Sequence, residues 1–204
     1  MDEKNPYRRR ALEELKKALT EGRVDNDAIP VLEALNSSPR YVTTSSCSGR
    51  IQLIEVEDLG RKERSNWVAK FHSWPGEEAI LERVRGWRGR GYLILQCQSP
   101  IFHVRCRTLQ DGVELVNLAR ECGFKYSSIR SVKLDSKGTA REFSAVVELL
   151  TPSRMDLPLG HGGELFVDEA TLRRLLPLFL RCFNKGKKAL RRFTKSISQL
   201  SPQG

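Results

Sequence analysis

Apolar positions along the 204-residue chain change spacing several times, from helical to alternating and back. Leu12, Leu15 and Leu19 recur at i, i+3 and i+7 behind Pro6. Proline suits a first helical turn, where its missing N–H costs little, so residues 6–20 read as an amphipathic helix that Gly22 ends. A second helix is expected over 28–35, with Asp25 or Asp27 near its start, where a carboxylate caps free N–H groups, and Pro39 as its stop. Residues 41–44 are rich in β-formers, and 51–56 alternate inward and outward, so both read as strands. The small polar residues 45–49 between them read as a loop. Residues 67–72 form another expected strand and 77–84 a helix, ended by the glycine-rich run 86–91.

Residues 92–97 and 101–106 look like a strand pair broken near Pro100. Leu115, Leu118, Ala119 and Cys122 return to helical spacing within 108–122, with Gly123 as the stop. Strands follow around 129–134 and 143–150, then a turn-rich stretch over 152–163 and a short strand over 164–167. Asp168 suits the N-cap of a last helix with the stripe Leu172, Leu175, Leu176, Phe179 and Phe183. Beyond Gly186 the pattern restarts with Leu190, Phe193, Ile197 and Leu200. Helices and antiparallel-looking strands mix without strict βαβ alternation. The expected class is α+β: a mixed, mainly antiparallel sheet with flanking helices and a basic C-terminal helix. One domain over 1–204 is expected, with 169–200 as the basic helical segment.

Charge changes this picture in one place. Lys and Arg number 35 against 25 Asp and Glu, a net +10, yet nine of the bases lie beyond residue 169, where no acid occurs. Lys187, Lys188, Arg191, Arg192 and Lys195 fall at i, i+1, i+4, i+5 and i+8, one helical face, with Leu190, Phe193 and Ile197 on another. An apolar side can dock while the basic side tracks phosphates, so an acidic partner is indicated, nucleic acid first. No apolar run approaches the roughly 20 residues of a membrane span, and residues 1–4 have no apolar signal region behind them, so no membrane partner is expected and a cytoplasmic protein is.

Chemistry-bearing residues are few. Cys47, Cys97, Cys106, Cys122 and Cys182 are odd in number and contain no C-x-x-C pair, and His72, His103 and His161 show no metal-ligand spacing, so neither a disulfide framework nor a metal is expected. The glycines of 86–91 precede a strand instead of following one, which is the wrong context for a dinucleotide loop. The run from Thr43 to Arg50 stands out: five hydroxyls, a thiol, a glycine and an arginine. Its hydroxyls and N–H groups suit a polar ligand held at close range, and the planar fork of Arg50 suits a carboxylate or phosphate. Cys47 has the alternative of serving as a nucleophile if His72 or His103 supplies a base.

Thr43 to Arg50, followed by Ile51, resembles the signature of the wybutosine-synthesis protein 3 family, tRNA methyltransferases acting on the tricyclic wyosine bases of phenylalanine tRNA. The similarity extends over nearly the whole chain: Arg8-Arg9-Arg10 and its helix, Trp67 and His72 at the family's spacing, Pro100 through His103-Val104 to Cys106, Cys122-Gly123-Phe124, and Leu157-Pro158-Leu159-Gly160. Two positions depart from it: Ser128 stands where the family usually has glycine, and Leu150 where it has arginine.

The resemblance implies S-adenosyl-L-methionine as methyl donor and the N-4 ring nitrogen of a wyosine precursor, beside the anticodon, as acceptor. On that basis Asp25 and His72 are the expected general bases. Ser45, Ser46, Cys47, Ser48, Gly49 and His103, with the late loop Pro158, Leu159 and Gly160, are expected at the donor. Arg50, the basic helix (Lys187, Lys188, Arg191, Arg192) and a stacking surface on Trp67 or Tyr41 are expected at the tRNA anticodon arm. Two other readings stay open: a tRNA-binding protein without catalysis, and a cysteine-dependent enzyme centred on Cys47.

Overall fold

The computed structural model describes residues 5–58 and 65–199; the expectations drawn on residues 1–4 and on Leu200 lie outside them. In chain order the first elements are α1 (Pro6–Thr20), a 3-10 turn (Asn26–Ala28), α2 (Ile29–Ser37), β1 (Tyr41–Cys47), β2 (Arg50–Val56) and β3 (Ser65–Phe71). Then come α3 (Glu77–Arg85), β4 (Tyr92–Gln98), β5 (Ile101–Cys106), α4 (Leu109–Glu121) and β6 (Ser128–Ser131). The chain continues through β7 (Ala145–Leu150), β8 (Met155–His161), β9 (Glu164–Leu165) and α5 (Glu169–Gln199). The strand pairs are antiparallel, and the class is α+β as expected.

The described residues divide into two compact units. The first takes the residues through Ser48, then Pro100–Pro152 and those from Lys187 onward. Its sheet has the order β1-β5-β7-β6. One face of that sheet packs α2, α4 and the last turns of α5 around Phe102, Phe124 and Phe193, all 0% exposed. Helix α4 starts on a capping box in which Thr108 and Asp111 satisfy each other's backbone N–H groups. It ends at Gly123, whose φ of +107° is left-handed and costs glycine little.

The second unit takes Gly49–Ser99 and Ser153–Gly186. Its sheet order is β3-β2-β4-β8-β9, and its core gathers Leu53, Leu95, Leu159, Leu176 and Phe179. The glycine-rich run wraps the carboxylate of Glu55, which accepts from Gly91 N–H at 2.8 Å and from Trp87 Nε1 at 3.3 Å. A Cβ on Gly89 or Gly91 would collide with Glu55 or the Val56 backbone, which is why those positions lack side chains.

Several local expectations change. The strands over 92–97 and 101–106 do not pair with each other: β4 belongs to one sheet and β5 to the other. The stretch expected as turns over 152–163 is largely β8, so Pro158, Leu159 and Gly160 lie in a strand. Proline is tolerated there because the pairing register slips between Leu93 and Ile94, opposite Pro158. The restart at Gly186 is not a break either, because α5 runs unbroken for 31 residues and contains Pro177.

Candidate functional site

The hydroxyl-rich segment is strand to Cys47, not a loop from Ser45. Hydroxyl side chains leave the backbone ladder intact, and β5 supplies its partners: Ser45 faces His103, Ser46 faces Phe102 and Cys47 faces Ile101. The register slips between Thr43 and Ser45, leaving Thr44 as the extra residue of a bulge, a device that re-aims neighbouring side chains. Asn36 at the end of α2 fixes the start of this segment. Its Nδ2 donates to Thr43 Oγ1 at 2.7 Å, and its Oδ1 accepts from Thr43 N–H at 3.0 Å. Arg8 of α1 holds the same corner by donating to the Asn36 carbonyl at 2.7 Å.

Thr43, Thr44, Ser45 and Ser46 line a groove of about 760 Å³, closed on its other side by Tyr7, Arg10, Glu14 and neighbours on α1. Small-molecule sites span roughly 300–1,000 Å³. Hydroxyls on one wall and alternating charges on the other give the groove donors and acceptors of both signs.

The segment ends at Ser48, which is 0% exposed. Its N–H donates to Asp25 Oδ2 at 2.8 Å, and its hydroxyl accepts from Lys187 Nζ at 3.0 Å. Lys187 Nζ also donates to Asp27 Oδ2 at 2.8 Å. Asp25 is the N-cap residue of the 3-10 turn, but its side chain makes no cap bond; it holds the Ser48 turn instead. Lys187 is only 7% exposed, so it does not share the solvent-facing row expected of it. The exposed bases on this part of α5 are Lys188, Arg191, Arg192 and Lys195, at i, i+3, i+4 and i+7.

His103 is no core histidine. Its Nδ1 lies 2.7 Å from Ser45 Oγ and its Nε2 lies 3.0 Å from Glu148 Oε2. Glu148 in turn has Arg130 NH1 at 3.6 Å from its other oxygen.

Apart from Tyr41, the remaining expected residues belong to the second unit. Arg50 opens β2 opposite Gln98, and its buried Nε has no acceptor among the described residues. Trp67 on the edge strand β3 is 62% exposed, with Lys70 Nζ 5.0 Å from its ring centroid, a cation–π contact. His72 follows β3 half-buried. Gly49 has φ of +86°, the left-handed turn that needs glycine. Of Pro158, Leu159 and Gly160, only Pro158 is exposed; Leu159 is a core side chain at 0% exposure. Tyr41, in the first unit, is 3% exposed with Arg40 against its ring, and a buried ring offers no stacking surface.

Sequence reasoning passed over Asn36, Glu148 and the buried role of Lys187. Glu148 did carry a signal: it is a lone acid between Val147 and Leu149 in an otherwise apolar strand, on the face opposite the core side chains. Asn36 and Lys187 carried none, because their partners come from other elements.

The profile of the family described as Methyltransferase TYW3 matches residues 7–199. A protein of Pyrococcus abyssi, named tRNA(Phe) 7-((3-amino-3-carboxypropyl)-4-demethylwyosine(37)-N(4))-methyltransferase 1, is 40% identical over 193 residues, 95% of either chain. Its namesake in Thermococcus kodakarensis is 44% identical over 191 residues, 94% of this chain and 92% of that one. Among solved structures, the PH1069 protein of Pyrococcus horikoshii superposes with a TM-score of 0.84 at 39% identity, covering 94% of both chains. A hypothetical protein of Aeropyrum pernix gives a TM-score of 0.68 at 26% identity, over 86% of this chain and 98% of that one.

Proposed function

We propose that this chain, which belongs to the Methyltransferase TYW3 family, moves a methyl group from S-adenosyl-L-methionine to the N-4 ring nitrogen of a wyosine precursor beside the anticodon of phenylalanine tRNA. The observation that carries this reading is the groove over β1, lined by Thr43, Thr44, Ser45 and Ser46. The relatives named above carry this substrate and this nitrogen in their names.

The donor fits the groove by chemistry. Hydroxyls of Ser45 and Ser46 suit its polar groups, Arg10 on the facing wall suits a carboxylate, and Glu14 suits an ammonium. When bound, the donor supplies a methyl carbon on a positively charged sulfur, open to in-line displacement. The chain's task is then alignment of that carbon with the ring nitrogen, the kind of orientation that contributes several orders of magnitude in rate. Asp25 and Lys187 serve it by holding the Ser48 turn at the end of β1 from its N–H and its hydroxyl.

For the tRNA, exposed Trp67 offers a stacking face for a base in a loop, and the partly exposed Arg50 a guanidinium for a phosphate. Lys188, Arg191, Arg192 and Lys195 form the phosphate-tracking row. The cytoplasm is the compartment this reading implies, because its substrate is tRNA. Among the described residues no helix is long and apolar enough to cross a membrane.

The test is mass spectrometry of nucleosides from phenylalanine tRNA that lacks this methyl group, after incubation with protein and S-adenosylmethionine. A mass gain of one methyl at that nucleoside is expected. No gain, under conditions where the protein binds the tRNA, leaves the non-catalytic reading standing.

A further inference from the structure

The first unit's sheet carries a row of polar side chains that runs from the groove at Ser45 to residues that packing does not explain. Across β1, β5, β7 and β6 the directly opposed residues are Ser45, His103, Glu148 and Ser128. Their neighbours along β5, Phe102 and Val104, point to the other face and are 0% exposed. The first three are hydrogen-bonded in series: Ser45 Oγ to His103 Nδ1 at 2.7 Å, then His103 Nε2 to Glu148 Oε2 at 3.0 Å.

The chemistry of the end group fixes the direction of this series. An ionised carboxylate only accepts, so Nε2 of His103 carries the hydrogen that Glu148 receives. The neutral ring then has its lone pair on Nδ1, and the Ser45 hydroxyl donates to it. Exposure falls along the chain of bonds: Ser45 is exposed and lines the groove, the His103 side chain is 32% exposed and that of Glu148 13%. A base buffered by an acid behind it, with a hydroxyl opening on the ligand side, is an arrangement for taking up a proton.

A proton must leave in this reaction. The acceptor nitrogen of a 4-demethyl base carries a hydrogen before transfer and none after it. We propose that Ser45, His103 and Glu148 form the relay that removes this hydrogen, an inference that rests on the methyl-transfer reading above. The nitrogen lone pair forms the new bond to the methyl carbon while the carbon–sulfur bond breaks and its electron pair stays on sulfur. The N–H proton passes to Ser45 Oγ as the serine's own proton passes to His103 Nδ1, and the resulting imidazolium faces the Glu148 carboxylate. Serine is unchanged at the end, and the ring returns its proton to water.

Ser45 is the catalytic residue of the three; His103 and Glu148 act through it as positioning residues. The bulge at Thr44 is what brings Ser45 opposite His103. The charged and titratable groups facing the imidazole are Glu148 from β7 and, behind it, Arg130 from β6. On its own strand is Arg105, whose guanidinium lies 4.9 Å from the Tyr7 ring of α1.

Two measurements on the full chain test the relay. Nitrogen NMR of the His103 ring, without donor or tRNA, is expected to show the Nε2–H tautomer at neutral pH. Glu148→Gln, which removes the acceptor-only partner, is expected to lose that preference. Single-turnover transfer measured against pH should lose about 100-fold in rate in His103→Gln and in Ser45→Ala, in the range of general-base contributions, with KM for tRNA held within about twofold. The pH dependence of the rate should change when His103 is replaced. Ser45→Ala changes an exposed position and carries the test even if His103→Gln does not fold. A wild-type protein that methylates while both variants match its rate and pH profile overturns the relay and leaves the function standing. An Nδ1–H tautomer in the wild type overturns the relay by itself. A wild type that yields no methylated nucleoside overturns the function and the relay's part in it.

Discussion

Lys187 Nζ lies 2.8 Å from Asp27 Oδ2 although 160 residues separate them. The same ammonium reaches Ser48 Oγ at 3.0 Å, so one cation from α5 ties down both the 3-10 turn and the end of β1. The two partners differ in what they lose without it. Asp27 has a 60% exposed side chain and turns to water, whereas Ser48 is 0% exposed and does not. Lys187→Met keeps the stem and removes the charge. We expect it to cost about 1–3 kcal/mol in urea unfolding, the penalty of a buried polar group left without its partner. Asp27→Asn, which leaves the Ser48 bond in place, should cost clearly less. Equal costs would show that the exposed half of this contact dominates.

The burial of Lys187 also redraws the tRNA-facing row. Lys188, Arg191, Arg192 and Lys195 share one exposed face of α5, and Lys187 does not. Each phosphate neutralised contributes roughly 0.7–0.9 to the slope of log affinity against log salt. Changing Lys188, Arg191 and Arg192 together to glutamate should therefore weaken tRNA binding and lower that slope by about 2–3, read by filter binding between low and physiological salt. Lys187→Met should leave the slope unchanged. A slope that falls with Lys187 and not with the triple variant would place the phosphates elsewhere.

Acid should unfold α4 through its cap. Burial alone would raise the Asp111 carboxyl, but hydrogen bonds from Thr108 and the Arg40 guanidinium outweigh it and hold the group below its ordinary 3.8. A carboxyl depressed in the folded state stabilises fully above its unfolded value, near pH 4, and loses that contribution as pH falls through the folded value. Asp111→Asn should lower stability at pH 7 by about 0.5–2 kcal/mol, the worth of a helix cap, and flatten the stability loss below pH 4. Urea midpoints measured from pH 7 to pH 2 decide it. Parallel curves for the two proteins would mean that other carboxylates carry the acid transition.

The sequence made some of this visible and hid the rest for identifiable reasons. Helix α1 spans Pro6–Thr20 as its leucine spacing and its proline indicate, and α4 stops at Gly123 where the left-handed turn requires glycine. These are local properties, settled within a few residues. Ser45 to Cys47 read as a loop because small hydroxyl residues favour turns, but pairing with Ile101–His103 outweighs that preference. Residues 152–163 read as turns, but 155–161 pair with β4, and the register slip beside Pro158, at Leu159, lets a strand hold a proline. The assignment of β4 and β5 to different sheets, the acid behind His103 and the partners of Lys187 are contacts between distant segments, which one sequence's periodicity does not encode.

Cysteine chemistry separates by neighbour as well as by burial. In the second unit Cys97 Sγ lies 4.0 Å from the Ser153 carbonyl, and its hydrogen bonding with Cys182, together with burial, pushes the Cys97 thiol far up. The same bond lowers Cys182 to about 7, against the opposing effect of burial and with help from Lys185. Cys182 is also partly exposed, whereas Cys97, Cys106 and Cys122 are buried. The thiolate is the reactive form, so reactivity follows both properties. Native protein treated briefly with iodoacetamide at pH 7.5 and digested for mass spectrometry should carry label at Cys182 well ahead of those three. Cys97→Ala removes that partner, so Cys182 should return toward an ordinary thiol and its labelling at neutral pH should slow several-fold, with little change at pH 9.5, where the free thiol is already ionised. Labelling of Cys182 that is unchanged by Cys97→Ala would assign its reactivity to Lys185 alone.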